Sequence, residues 1–262
     1  MQVLNLVDNS MIDCRGPGRL GNKFFRNMVG FFLSEKHGIK CCFDHADVFD
    51  NLGIYFDGTT FGSPDKASIL ITDTNLLAFL TGDVLDKTKL YKLFGWCQTI
   101  EFSRHLYSYF TDLENKMCKD IMHKNKFKAR YNKNNDVVIH LRYGDIGEHG
   151  KVVGKKYVPD INYYAYVLRR IKYDTGYICS DTLHIKMCRD IMKAFKLKPL
   201  VMDPIDTIMF ASTCNNIVLS CGTFSYLIGL FGFHSDKIFY CNPSRLDEWH
   251  GDIFRGTKWE MV

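Results

Sequence analysis

Four short stretches carry residues able to do polar chemistry, and each sits where the chain turns. The first is His140-Leu-Arg-Tyr-Gly-Asp145, which closes an apolar run opening at Asp136. In an extended chain alternate residues share a face, so His140 and Arg142 point one way with Val138, while Val137, Ile139 and Leu141 point the other. A guanidinium is always charged and presents a planar fork of donors, which suits a phosphate or pyrophosphate. A cation among Val, Ile and Leu needs an anionic partner, either a ligand or a structural carboxylate. The second stretch is Cys221-Gly-Thr-Phe-Ser-Tyr226. There Gly222 lets the backbone approach a ligand, and Thr223 to Ser225 open a helix whose hydroxyls and free amides can bind an anion. The third is Tyr177-Ile-Cys-Ser-Asp181, where Ser180 and Asp181 either cap the next helix or touch a ligand. The fourth is Cys14-Arg-Gly-Pro-Gly-Arg-Leu-Gly-Asn22, with three glycines and a proline within six positions. Its amides, at a helix start, either receive an anion or only turn the chain.

Elements must hold these residues in place. A short strand is expected at 3–7, followed by the glycine-rich turn. From Gly21 to about Gly38, Phe24, Phe25, Met28, Val29, Phe32 and Leu33 recur at spacings of three and four, the pattern of a helix with one apolar face. A strand follows at 39–43. Between 44 and 100 the glycines at 53, 58, 62 and 82 and Pro64 break the chain into turns around a strand at 68–72, a short helix at 75–80 and an ordered piece at 91–96. A single helix is expected over 102–122. The basic, asparagine-rich run from Lys124 to Lys133 reads as a solvated linker between two domains. From 136 on, strands at 137–142, 177–179, 199–202, 216–220 and 237–241 alternate with helices at 161–172, 182–196, 205–213 and 224–232. Such alternation implies a parallel sheet covered on both faces. Ligands bind such a sheet at the strands' carboxyl ends, where all the polar stretches of this half fall. The tail from Asp247 to Val262, with Trp249 and Trp259, is expected to pack back on the first half.

Composition narrows the classes. The 262 residues allow one large domain or two of about 100–150 residues each. Hydrophobic content of 46% and charged content of 24% are ordinary for a globular chain with a sizeable core. A net charge of +5 suits anionic small molecules better than nucleic acid, which calls for a denser basic stripe. Aromatic partners for base stacking are almost absent from 124–133, so an RNA-binding role there is disfavoured. There is no apolar run of about 18 residues and no signal-peptide pattern at the amino terminus, so the expectation is a cytoplasmic protein without a membrane span, in a bacterial, viral or other cytosolic setting. Ten cysteines show no Cys-x-x-Cys pair and no zinc-site spacing, which favours reduced core thiols.

Taken together, the four stretches resemble the motifs of the α-1,2-fucosyltransferases and their α-1,6- and protein O-fucosyltransferase relatives. His140-Leu-Arg-Tyr-Gly-Asp145 is similar to their His-x-Arg-Arg-Gly-Asp signature, and Gly18-Arg-Leu-Gly-Asn-Lys-Phe-Phe25 to their Gly-x-Leu-Gly-Asn-Gln-x-Phe loop. Tyr177 to Asp181 resembles their Phe-Ser-Asp-Asp segment. Asp206 to Tyr226 resembles the block that ends in Asn-Ser-Thr-Phe-Ser-Trp. Two positions depart from the pattern: Tyr143 stands for the signature's second arginine and Tyr226 for the final tryptophan.

The resemblance implies an α/β fold of GT-B type, two Rossmann-like domains facing across a cleft, with residues 1–135 on the acceptor side and 136–262 binding the nucleotide sugar. It implies an inverting, metal-independent glycosyltransferase, with a GDP- or UDP-linked sugar as donor, a glycan as acceptor and no metal or other cofactor. Arg142 would hold the donor's β-phosphate. His140 and Asp145 would shape the donor pocket, and Ser180 and Asp181 would lie at the base or ribose. Gly222, Thr223, Phe224 and Ser225 would bind the pyrophosphate, while Gly21 and Asn22 would close on the sugar and acceptor. Fucose from GDP-fucose is the first donor implied. A xylosyl donor such as UDP-xylose is the alternative, and a nucleotide- or glycan-binding module without catalysis a further one. Asp13, Glu148 and His149 are candidates for a general base.

Overall fold

The computed structural model describes residues 10–58, 68–82, 85–145, 147, 158–241 and 252–262. The expected strand at 3–7, Gly62, Pro64, Glu148, His149 and Trp249 lie outside them. The first half builds a four-stranded parallel sheet from β1 (Met11–Asp13), β2 (Lys40–Cys42), β3 (Ile69–Ile71) and β4 (Leu90–Leu93), in the order β2-β1-β4-β3. Helix α1 (Leu20–His37) follows the glycine-rich turn and stops at Gly38, whose left-handed backbone (φ 66°) sends its N–H to Ser34 O. Short helices α2 (Ala46–Asp50) and α3 (Leu76–Thr81) follow β2 and β3. The single helix expected over 102–122 is two, α4 (Ile100–Thr111) and α5 (Lys116–Lys124). The break has a local cause: Asp112 ends α4 in an extended conformation, and Asn115 caps α5 by accepting from Met117 N at 2.8 Å.

The second half builds a six-stranded parallel sheet. Its elements are β5 (Val137–Leu141), α6 (Ile161–Arg170), β6 (Gly176–Ser180), α7 (Lys186–Phe195), β7 (Lys198–Pro199), α8 (Pro204–Ala211), β8 (Asn216–Val218), α9 (Thr223–Phe231), β9 (Lys237–Tyr240) and β10 (Glu260–Met261). The order is β10-β9-β8-β5-β6-β7. Every residue of β5 and β8 is buried, as strands covered on both faces require. Arg142 lies one residue past β5, which ends at Leu141, and α7 starts at Lys186 after a turn at 182–185.

One hydrophobic cluster runs through both halves. Phe24 of α1 meets Phe49, Phe110 and Phe231 with ring centroids 5.9–6.1 Å apart, and Phe25 meets Tyr226 at 5.1 Å. Trp259 packs on Tyr226 and Phe254, and Ser103 of α4 donates to Ile253 O, so residues 253–259 lie against the first half's α4. Residues 124–133, expected as a solvated linker, are tied to α8 and the loop after it instead. Asn125 is buried and donates to Met209 O, and Arg130 stacks on Phe210 at 4.4 Å while pairing with Asp136 at 2.7 Å. Among the described residues no helix is long and apolar enough to cross a membrane, and all ten cysteines are free thiols.

Phe24 is fully buried at the seam between the halves. Phe24→Ala is expected to cost about 3–5 kcal/mol of stability, read by urea denaturation with circular dichroism. A loss below about 1 kcal/mol would show that the halves do not share their core.

Candidate functional site

Each sheet's strand order turns at its first strand, between β1 and β4 in the first and between β5 and β8 in the second. In open parallel sheets the crevice outside the carboxyl ends at such a reversal is where ligands bind. The first crevice is filled from within. Arg26 of α1 is buried there and donates to Cys14 O (2.9 Å) and Arg15 O (2.6 Å) beyond β1, and to Leu93 O (2.6 Å) and Gly95 O (2.7 Å) at the end of β4. The second crevice opens on a cavity of about 710 Å³. Its walls come from both halves: Gly18 to Asn22, Trp96 and Gln98 on one side, and the loops after β5, β6, β7 and β8 on the other.

Arg142 and Gly222 meet at the reversal point. Gly222 precedes α9 with φ 89°, a backbone that disfavours any side chain, and a Cβ there would lie 3.0 Å from Arg142 Nη1. No side chain caps α9, so its first N–H groups and positive dipole end stand beside a guanidinium. Arg142 also has a structural carboxylate: Nη2 donates to Asp145 Oδ1 at 3.2 Å and Oδ2 at 3.4 Å. Arg19 of the glycine-rich turn reaches the same carboxylate at 3.5 Å. Arg142 Nε is buried without a partner among the described residues. The two arginines and the uncapped start of α9 converge on Asp145, with Asp181 the second carboxylate of the cavity wall, and the α9 end of the cavity is suited to an anion.

His140 lines the cavity, nearly buried, with its ring against Phe224 at 5.3 Å. Burial, reinforced by the Arg142 charge, pulls its pKa down to about 3 against an opposing pull from Asp181. The imidazole is therefore neutral near neutral pH. Its Nδ1 lies 2.5 Å from Ser225 Oγ, which also accepts from Ser220 N at 3.1 Å. Ser225 can then donate its own proton to Nδ1, which puts the imidazole proton on Nε2. Ser225, expected among the pyrophosphate ligands, is fully buried and absent from the cavity wall, because His140 and Ser220 take up its hydroxyl. Gly222, Thr223 and Phe224 do line the cavity.

Asp181 and Ser180 also line it, and both are structurally engaged. Asp181 accepts from Tyr143 N at 3.1 Å and so props the loop after β5, and Ser180 Oγ accepts from Thr182 N at 3.0 Å. From the facing half, Asn22 Oδ1 accepts from both Thr223 Oγ1 (2.9 Å) and Gln98 Nε2 (3.0 Å). Gly21 fits against Thr223 so closely that a Cβ would lie 2.5 Å from Thr223 Oγ1. The structure thus brings Gly21, Asn22, His140, Arg142, Asp145, Ser180, Asp181, Gly222, Thr223 and Phe224 to one cavity.

Three residues stand elsewhere. Asp13, a candidate base, is buried outside the cavity wall. Burial pulls its pKa upward, but the Arg15 bonds and charge outweigh that and hold it lowered. Tyr226, where the family pattern has tryptophan, faces the shared core, and its hydroxyl donates to Ser103 O at 2.9 Å. Tyr143 packs on the cluster around Leu141 and Tyr164 and is not among the cavity's lining residues. Residues that sequence patterns did not single out also line the wall: Trp96, Gln98, Leu200, Met202 and Thr207. For all but Thr207, which lies within α8, a position past a strand end was the available signal.

The architecture is one found among glycosyl-transferring enzymes of known structure. The chain superposes on an α-1,6-fucosyltransferase, NodZ, soaked with GDP-fucose, at a TM-score of 0.50 and 10% identity, over 89% of this chain and 95% of that one. It superposes on apo POFUT1 at a TM-score of 0.51 and 11% identity, over 89% and 97%. At such identities the likeness is one of fold, and it does not single out the α-1,2 group. No family model and no curated protein sequence matches the chain.

The unfolded His140 imidazole titrates near its ordinary value of about 6.5 and the folded one at about 3. In that window the unfolded chain binds the extra proton, so the stabilisation is complete above about pH 6.5 and is lost as pH falls towards 3. Between about pH 6.5 and pH 5 the loss should approach 2 kcal/mol. His140→Asn should remove that part of the pH dependence in urea titrations, and an unchanged slope would refute it.

Proposed function

We propose that the chain is a glycosyltransferase of GT-B type. The two sheets are its Rossmann-like units, and the cavity between them takes a nucleotide sugar and a glycan acceptor. The observation that carries this reading is the placement of Arg142 against the uncapped, glycine-led start of α9 at the β5/β8 reversal, in a cavity walled by both halves. A diphosphate seated there meets the guanidinium and the amides of Gly222, Thr223 and Phe224. Ser180 and Asp181 lie towards the base and ribose. Asn22, with Gly21, closes on the sugar and acceptor.

In the proposed reaction the bond from the anomeric carbon to the β-phosphate oxygen breaks, and its electron pair stays on the diphosphate. Arg142, Arg19 and the α9 amides stabilise that charge as it grows, which supplies the electrostatic role a metal would otherwise fill. The acceptor hydroxyl attacks the opposite face, inverting the anomeric centre, and its proton leaves with the diphosphate or to water. His140 acts as a neutral donor in the pocket, held by Ser225, and Asp145 orients Arg142. Fucose from GDP-fucose is the donor we favour. The departure at position 143, the ground for a UDP-xylose alternative, does not line the cavity. The fold shared with fucosyltransferases supports the choice. A reducing, cytoplasmic setting fits the ten free thiols.

Calorimetry with GDP, UDP and their sugar conjugates, followed by a turnover assay, tests the reading. Arg142→Ala is expected to cut turnover by about 100-fold or more and to weaken nucleotide binding. Failure of the wild-type protein to bind any nucleoside diphosphate would overturn the proposal. Binding without turnover of any conjugate would make the chain a nucleotide-binding module.

A further inference from the structure

Trp96 combines three properties rarely met together in a side chain that only packs. It is 38% exposed, it lines the cavity, and it stacks on no other ring among the described residues. Its backbone, by contrast, is firmly held. The Asp73 carboxylate accepts from Trp96 N at 3.2 Å and from Cys97 N at 2.6 Å. Arg26 grips Gly95 O, and both Gly95 (φ 145°) and Cys97 (φ 57°) sit in positive-φ conformations on either side. Glycine takes such a φ freely, but the left-handed Cys97 persists only where the surroundings hold it. A firmly held loop thus presents an exposed, unstacked indole in the cavity wall.

Two amides stand beside it in the same wall. Gln98 Nε2 and Thr223 Oγ1 both donate to Asn22 Oδ1. That leaves Gln98 Oε1 as an acceptor and Asn22 Nδ2 as a donor, both without partners among the described residues. An open indole flanked by one free acceptor and one free donor matches a pyranose ring, whose apolar C–H face stacks on an aromatic while its rim hydroxyls both give and take hydrogen bonds.

We infer that Trp96, Gln98 and Asn22 form a subsite for the acceptor, with Trp96 the stacking platform for a hexopyranose ring. The inference rests on the glycosyltransferase reading and assigns its acceptor to the β4 side of the cavity. A nucleotide base is the competing occupant of an indole face. A base has another apolar wall on offer, however, because Leu200, Met202 and Pro204 line the cavity past β7, the strand beside β6 and its Asp181.

The test measures two bindings separately. Saturation-transfer NMR follows methyl β-D-galactopyranoside, methyl β-D-glucopyranoside and methyl N-acetyl-β-D-glucosaminide, and calorimetry follows GDP and UDP, for the wild type, Trp96→Ala and Trp96→Phe. Trp96→Ala should weaken saccharide binding about tenfold, Trp96→Phe should recover part of it, and nucleotide affinity should stay within about twofold in both. Saccharide binding untouched by Trp96→Ala, no binding of any of the three glycosides by the wild type, or a parallel loss of nucleotide affinity would each overturn the subsite. A wild type that binds a glycoside through Trp96 but neither nucleotide would keep the subsite and sink the transferase reading. The variant's circular dichroism and the Trp96→Phe protein guard against loss of fold.

Discussion

The buried guanidinium of Arg26 is the contact through which the first half of the site is built. An arginine held away from water needs its donors satisfied, and here they are met by four backbone carbonyls rather than by a carboxylate. Those carbonyls belong to two loops far apart in sequence, the one leaving β1 and the one leaving β4. Fixing them fixes the glycine-rich turn that carries Gly21 and Asn22 and the loop that carries Trp96 and Gln98. Gln98 then meets Asn22, and Asn22 meets Thr223 at the start of α9. A chain of short, directional bonds thus runs from the interior of one sheet to the anion-ready end of the other. Gly16 shows how little slack it has, since a Cβ there would lie 2.5 Å from the Arg26 guanidinium carbon.

The second half obeys a different constraint, an excess of positive charge at one point. Arg142, Arg19 and the start of α9 converge, and Asp145 is the carboxylate set between the two arginines. His140 adds no charge, because burial and the neighbouring cation keep it neutral. That arrangement is preorganised for a polyanion. The dipoles and cations are already aimed, and the resident carboxylate holds Arg142 in place at roughly 3.2–3.4 Å without saturating it. On the proposed reading, such preorganisation would be the larger part of what the site contributes as charge develops on a leaving group.

The second half was the more legible in sequence, for a physical reason. Strands buried on both faces read as apolar runs, and polar residues just beyond such runs fall at the carboxyl edge of the sheet. That logic put His140, Arg142, Asp181 and Gly222 at the strands' carboxyl ends, and all four line one cavity. It could not tell Thr223, which lines the cavity, from Ser225, which is drawn behind it by His140, because both are small hydroxyl residues on one helix turn. The first half depends on contacts that local pattern does not encode. Strands of three or four residues are too short for alternation to show, and the break at Asp112 hides inside a stretch with continuous helical spacing. Arg26 looks like an ordinary polar position of α1. Its one signature is that Asn22 and Arg26 lie four apart on a helix whose other faces are largely apolar, a polar stripe that must be satisfied from elsewhere.

The two sheets share one topological feature and use it in opposite ways. Both turn their strand order at their first strand, and both therefore open a crevice at the strands' carboxyl ends there. One crevice is plugged by the chain's own arginine, and the other is left open beside a free helix terminus. A plugged crevice offers no free donor to a phosphate, since the Arg26 N–H groups there are already given to backbone carbonyls. What the first sheet can offer instead is what its loops present above the plug: an indole face and two amides. The division of labour in the cavity follows from that asymmetry. Arg19 of the first half reaches across to the anion site at Asp145, and what the β4 loop presents is neutral and suits a hydroxyl-bearing group.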